Sequence, residues 1–465
     1  MKQFDFGIVG LGVMGKNLLL NMADHGFSVA GLDLDQAKAA ALEEGAREGQ
    51  DVKGFITAEK FVSSLKRPRA IMLLVPAGKP VDAAIGSLLP LLEKDDIVVD
   101  GGNSYFPDTE RRFAELAKKN IHFFGMGISG GEKGARFGPS MMPGGDAQAY
   151  ERLRPIFEAI AAKVDGEPCV TYLGKGSAGN YVKMVHNGIE YGIMQLIAET
   201  YDIMKKGLGY SDDKIQSIFA SWNDTELQSF LVEITGLILQ KKDDDTGKQL
   251  LPLISDQARS KGTGKWTSQN AMDLQAPVPV IDMAVLMRDI SKFKEERVAA
   301  SKALKWAGEE NVDATADMLK NALYFGMITT YAQGMVQLRL ASEEYGYGLN
   351  LEEVAKIWRG GCIIRAACLE DFRKAYKKAP DLANLMLDKE IGEDLVARQK
   401  DVREVVKVAV EKGIPAPALM AALSYFDAYR SDRLSTNVIQ AQRDFFGAHQ
   451  FERIDKEGVF HAQWE

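Results

Sequence analysis

Lys183, His186, Asn187 and Glu190 stand at i, i+3, i+4 and i+7 in a run that reads as continuous helix from Ala178 onward. At 3.6 residues per turn the four share one face, while Val182, Val185, Ile189 and Leu196 fall on another. Such a face is either a solvated stripe, steadied by a Lys183–Glu190 or Lys183–Asn187 contact, or a set of groups for acid–base work. A lysine desolvated in a closed cleft gives up its own proton readily, so it can take the proton of an alcohol whose carbinol carbon loses hydride. A glutamate raised by burial can return a proton later, which matters if a carbon–carbon bond then breaks. Lys183 is thus the candidate base and Glu190 the candidate acid, with His186 and Asn187 holding hydroxyl and carboxylate groups.

Other segments offer anion contacts. Ser129-Gly130-Gly131-Glu132-Lys133-Gly134-Ala135-Arg136 follows a strand-like run, and its hydroxyl and closely spaced N–H groups form either a carboxylate cradle or a flexible surface turn. Lys261-Gly262-Thr263-Gly264-Lys265 has the look of a phosphate loop but carries Arg259 where that motif's first glycine belongs, so Lys261 and Thr263 are read only as anion donors. Arg288 lies in a helical run where a salt bridge is the ordinary explanation. Near the end, Arg443 and His449 flank a glycine turn at Gly447, and a guanidinium fork suits phosphate.

These groups need a redox partner, and the first residues supply one. Gly10-Leu11-Gly12-Val13-Met14-Gly15 lies between the apolar run Phe4 to Val9 and a helical run. In a strand–turn–helix unit the first glycine makes the turn, the second admits a pyrophosphate and the third lets helix pack on strand. An ordinary glycine turn is the competing reading. Asp33, about 20 residues past Gly15 and after a second strand-like run, is placed to accept from a ribose 2′-hydroxyl and to repel a 2′-phosphate.

Runs at Ile71 to Val75, Ile97 to Val99, Ile121 to Phe124 and Val170 to Leu173 predict further strands alternating with helices, hence a mostly parallel sheet. Ligands bind beyond the carboxyl ends of such strands, which singles out Val75-Pro76-Ala77-Gly78 and Asp100-Gly101-Gly102-Asn103-Ser104. The expected organisation is a Rossmann-type α/β domain over 1–176, an all-α domain over 177–435 and a C-terminal tail over 436–465. Gly207-Leu208-Gly209-Tyr210-Ser211 resembles Gly346-Tyr347-Gly348-Leu349-Asn350, which predicts a duplicated helical unit.

A net charge of −8, with no long basic block, argues against nucleic acid but leaves room for a local cationic cluster around an anionic substrate. Three cysteines without zinc-type spacing fit a reduced, cytoplasmic setting and no metal site. No apolar run approaches ~18 residues, so no membrane role is expected, and strand signals from Phe4 leave no room for a signal peptide.

From its first strand to its tail, the chain resembles the decarboxylating 6-phosphogluconate dehydrogenases. The most specific segments are Gly127 to Arg136, Lys183-Met184-Val185-His186-Asn187-Gly188-Ile189-Glu190-Tyr191, and Arg443-Asp444-Phe445-Phe446-Gly447-Ala448-His449. The resemblance implies that Lys183 is the general base and Glu190 the general acid. It implies that Asn103, Ser129, Gly130, Gly131, His186 and Asn187 contact the sugar acid, and that Tyr191, Lys261, Arg288 and Arg443 hold its phosphate. It also implies oxidation at C3 and loss of carbon dioxide in the oxidative pentose phosphate pathway, without a metal. Its homodimer would have Arg443 and His449 of each tail entering the neighbouring site.

One region departs from the family pattern. Most members use NADP and follow the second strand with Asn-Arg-Thr, the arginine pairing with the 2′-phosphate; here Asp33-Leu34-Asp35 stands there, and Pro76 replaces a usual lysine. The expectation is NAD in preference to the family-typical NADP, held by Gly10 to Gly15, Asp33 to Asp35, Val75 to Ala77 and Asn103. Two other readings share parts of these features. A β-hydroxyacid dehydrogenase for a smaller acid would lack the second helical repeat and the tail, and a non-catalytic dinucleotide sensor would have no use for both Lys183 and Glu190.

Overall fold

The computed structural model describes residues 3–306 and 313–464. Short apolar, β-branched runs form β1 (Phe6–Val9), β2 (Val29–Leu32), β3 (Val52–Phe55), β4 (Ala70–Leu73) and β5 (Ile97–Asp100), followed by the longer β6 (His122–Ser129) and β7 (Ser140–Gly144). They make one sheet in the order β3-β2-β1-β4-β5-β6-β7. All neighbours are parallel except β6 and β7, which pair antiparallel from Gly125 opposite Gly144 to Ser129 opposite Ser140. Helices cover both faces, which is why β2, β4 and β5 are buried along their whole length.

The run at Val170 to Leu173 is not a strand. Val170 makes a single bridge to Met141, and the segment follows β7 only through Met141 N–H to Cys169 O and Leu173 N–H to Pro143 O. Pro143 has no N–H to give, so a full ladder cannot form along that edge. The seventh strand is instead Ser-Met-Met-Pro-Gly, whose proline and glycine hide it from a propensity reading.

Past Ser177 the chain is helical. Helix Ala178–Asp202 packs lengthwise on helix Ala316–Tyr345, and both are buried over most of their length. Gly334 makes that approach close, since a Cβ there would lie 2.5 Å from Ile189 Cδ1. Each long helix leads into a glycine turn and a short capped helix. After the first, Gly209 takes φ +64° and Ser211 caps Asp212–Trp222; after the second, Gly348 takes φ +72° and Asn350 caps Leu351–Ile357. The same succession thus occurs twice, as the glycine segments predict.

The tail is more ordered than its composition suggests, with helix Thr436–Gly447 and a hairpin of Phe451–Glu452 with Val459–Phe460. Both fold around Asp444, the only buried residue of that helix. Its carboxylate accepts from Gln450 N–H, Ala462 N–H, His461 Nδ1 and Trp464 Nε1. No helix among the described residues is long and apolar enough to cross a membrane.

Candidate active site

The glycine turn separates three roles. Gly10 takes φ +98°, and a Cβ there would lie 2.5 Å from Leu74 O; at Gly15 it would lie 2.0 Å from Gly10 O; at Gly12 it would meet nothing within 4 Å. The outer glycines therefore serve the turn and the helix–strand contact, and Gly12 leaves open space at the N-terminus of helix Val13–Asp24. Asp33 holds the turn from the side, with Oδ2 accepting from Leu11 N–H at 2.9 Å and Oδ1 from Asp35 N–H at 3.0 Å. Lys38 Nζ lies 3.6 Å from the same carboxylate. Asp35 departs from a plain cofactor contact: its side chain caps helix Gln36–Glu44 through Ala37 N–H, while Leu34 is almost wholly exposed.

The polar face of helix Ala178–Asp202 is not a solvated stripe. Lys183, His186 and Asn187 are buried and Glu190 is largely so. The helix reaches the sheet because β6 offers glycine where they meet; a Cβ on Gly127 would lie 2.2 Å from Lys183 Cβ. Lys183 Nζ stands 3.3 Å from His186 Nδ1, which is 3.0 Å from Asn187 Oδ1 and 4.0 Å from Glu190 Oε2. His186 Nε2 faces Ser129 Oγ at 3.3 Å, and Ile363 N–H donates to that oxygen. Asn187 Oδ1 can only accept, which puts an imidazole hydrogen on Nδ1 and leaves Nε2 to accept from the Ser129 hydroxyl.

Burial pushes Lys183 down to about 8 against the opposing pull of Glu190 and Cys362. Burial, then the neighbouring lysine, drives His186 well below its ordinary value and keeps it neutral. Burial raises Glu190, opposed by Lys183 and Arg288. The helix thus carries a neutral imidazole between an amine lowered to about 8 and a carboxyl raised by burial, a pairing suited to sequential proton removal and return.

Ser129 closes β6, and the chain turns at Gly130, φ +113°, straight into helix Gly131–Phe137. The expected loop from Ser129 to Arg136 is therefore mostly the first turns of a helix, with its free N–H groups beside Ser129. Among the described residues Arg288 has no ion-pair partner; its Cζ sits 3.3 Å from the centre of the Tyr191 ring. Thr263 is buried as the first residue of helix Thr263–Asp273, with exposed Lys261 just before it, and Gly264 lies against Tyr191. Asn103 is exposed between Gly102 and Ser104, while Val75, Pro76 and Ala77 form the turn after β4. Arg443 and His449 are held within the tail: Arg443 donates to Gln440 Oε1 at 3.1 Å, and His449 packs edge-on against Phe446.

Residues 358–365, which the sequence marks only as the end of a repeated helix and a cysteine, close the back of the cluster. Trp358 meets the His186 ring edge-on at 5.8 Å, a Cβ on Gly130 would lie 2.6 Å from Gly361 O, and one on Gly361 would lie 2.6 Å from Gly138 O. The pair Gly360-Gly361 before Cys362 was the available signal. Among the described residues no group of three or more His, Cys, Asp or Glu is arranged to hold a metal ion.

Two family models match this chain: the NAD binding domain of 6-phosphogluconate dehydrogenase over residues 5–174, and the 6-phosphogluconate dehydrogenase C-terminal domain over residues 179–464. The NADP(+)-dependent, decarboxylating 6-phosphogluconate dehydrogenase of Bacillus subtilis is 52% identical over 100% of both chains. The chain belongs to the 6-phosphogluconate dehydrogenase family. The decarboxylating member from Escherichia coli is 50% identical over 100% of both chains. In structure, the Plasmodium falciparum 6-phosphogluconate dehydrogenase, solved apo, with its cofactor NADP+ and with its substrate 6-phosphogluconate, superposes with a TM-score of 0.96 at 44% identity, covering 99% of this chain and 100% of that one. Family membership gives the buried lysine–histidine–glutamate face an oxidoreductase setting, and the C-terminal family model includes the tail with Arg443 and His449.

Proposed function

We propose that this chain oxidatively decarboxylates 6-phospho-D-gluconate to D-ribulose 5-phosphate and carbon dioxide, in the oxidative pentose phosphate pathway of the cytoplasm, with NAD preferred over NADP. The observation that carries the chemistry is the buried Lys183 beside neutral His186, which lies one helical turn from Glu190, a carboxyl raised by burial. Open space at Gly12, between two glycines that tolerate no side chain, fits a dinucleotide pyrophosphate at the helix N-terminus. When bound, the nicotinamide supplies the hydride acceptor.

Lys183 takes the C3 hydroxyl proton. Its ammonium then donates to the new carbonyl oxygen, which draws in the electron pair released as the C1 carboxylate departs. Glu190 returns a proton to the enediol carbon that was C2 of the sugar acid and becomes C1 of ribulose 5-phosphate. Ser129, His186, Asn187, Asn103 and the N–H groups of Gly130 and Gly131 orient the sugar acid. Tyr191, Lys261, Thr263 and Arg288 take the phosphate, with Arg443 and His449 supplied from a second copy, so that binding energy far from C3 positions the reacting end.

The preference for NAD rests on Asp33. Its carboxylate, fixed against Leu11 N–H, accepts from ribose hydroxyls and repels a 2′-phosphate, and the exposed Leu34 offers no cation. Lys38 works against this preference but is spent in part on Asp33. Steady-state assays with 6-phosphogluconate and each dinucleotide, with carbon dioxide release recorded, test both parts. Higher kcat/KM with NADP overturns the preference, and absence of carbon dioxide overturns the reaction.

A further inference from the structure

Two loops leave the carboxyl ends of adjacent parallel strands: Leu74 to Gly78 after β4, and Gly101 to Ser104 after β5. By the geometry of such sheets, they flank the inner half of a dinucleotide laid across the strand ends. Both are tied to one buried guanidinium. Arg112, on helix Phe106–Ala117, is 1% exposed. Its three nitrogens serve different segments: Nε donates to Asp82 Oδ1 at 2.8 Å, Nη2 to Gly78 O at 3.1 Å, and Nη1 to Asp100 Oδ2 at 3.3 Å, with Ser104 Oγ at 3.5 Å. Asp100, itself fully buried, passes the constraint on, accepting from Ser104 Oγ at 2.6 Å and from Gly102 N–H at 3.1 Å. From the helical domain, Asn180 Nδ2 donates to Gly102 O at 3.1 Å. Asn103 is left as the free tip of a loop pinned on both sides.

We propose that Arg112 is a positioning residue for dinucleotide binding and hydride transfer, holding the 75–78 and 101–104 loops at a fixed separation. The inference rests on the dinucleotide reading of those loops. Stability alone is a poor reason for the arrangement, because removing a guanidinium and a carboxylate from water costs about as much as their attraction returns. The planar fork does what an apolar residue or a lysine cannot, since it meets three directions at once and leaves little freedom between the loops. None of its hydrogen bonds is to Lys183, Tyr191 or Arg288.

Full-length Arg112→Met and Arg112→Lys variants test the proposal. In Arg112→Met the dinucleotide KM should rise about tenfold or more and kcat should fall, with Arg112→Lys intermediate, while the Kd for 6-phosphogluconate alone, measured by calorimetry, rises only a few-fold, because the sugar acid meets these loops through Asn103 alone. A folded Arg112→Met with dinucleotide KM and kcat unchanged overturns it, as does a loss of 6-phosphogluconate binding as large as the loss of dinucleotide binding, which marks a general structural defect. If Arg112→Met does not fold, Ser104→Ala removes the Ser104 Oγ contacts to Asp100 and Arg112, and Asp82→Asn weakens the Nε contact by removing its charge, neither stranding the guanidinium. Either should raise the dinucleotide KM severalfold, and no change in both overturns the proposal. Turnover by the parent chain separately tests the reading on which this rests; should the parent not turn over, dinucleotide binding followed by quenching of protein fluorescence still compares the variants.

Discussion

At Lys183 an amine is held where water cannot compensate its charge. The unfolded chain keeps that proton to about pH 10.5, while the folded chain releases it near 8, so stability rises with pH across this window and the full penalty applies below it. Lys183→Met should abolish turnover yet stabilise the fold at pH 7 by up to about 3 kcal/mol, a gain that shrinks toward pH 10. Urea titrations at the two pH values check this; a variant less stable than the parent at pH 7 refutes it. In the intact enzyme the acid limb of kcat/KM should turn near pH 8, where the base becomes free. Residue spacing made Lys183, His186, Asn187 and Glu190 legible, because one helical face is a local property. Trp358, Ile363 and Arg112 were not legible, because their meaning comes from contacts hundreds of residues apart or from burial that no single residue type announces.

Among elements, the long helix Ala178–Asp202 does more than carry the polar face. Near its end, Glu199 accepts from Ala418 and Leu419 N–H at 2.9 Å each and so caps the buried start of helix Pro417–Tyr429 from outside. That helix packs on Pro279–Ser291, which carries Arg288. Burial raises Glu199 to about 7 against those hydrogen bonds. A carboxyl whose folded value lies above its unfolded 4.5 contributes stability that is complete at low pH and is lost as pH rises through 7. Glu199→Gln should therefore flatten the fall in stability between pH 5 and pH 8, by as much as about 3 kcal/mol. Unfolding midpoints of the two proteins at both pH values decide it, and an unchanged slope counts against the assignment. Elements with a clean period were legible: the fully apolar strands, the paired glycine turns, the long helices. Val170 to Leu173 and β7 were exchanged because hydrophobicity marks burial, whereas Pro143 decides which edge can complete a ladder.

For the whole molecule, the tail is the part with the most conspicuous apolar exposure on one helix. Helix Thr436–Gly447 exposes Val438, Ile439, Phe445 and Phe446, a face that its own chain leaves uncovered. If each tail completes a second copy's site, chains bearing Lys183→Ala and chains bearing Arg443→Ala, each inactive alone, should regain activity when refolded together, since one site of each mixed pair is intact. No recovery in verified mixed dimers argues against tail exchange. The tail's composition revealed its end position and its Arg443–His449 pair, but not the Asp444 knot that orders it, because a carboxylate's partners here arrive from residues 450 to 464. With such an arrangement, dilution itself becomes an inhibitor. Specific activity should depend on how much enzyme is present, and a substrate that bridges the two copies would protect against the loss.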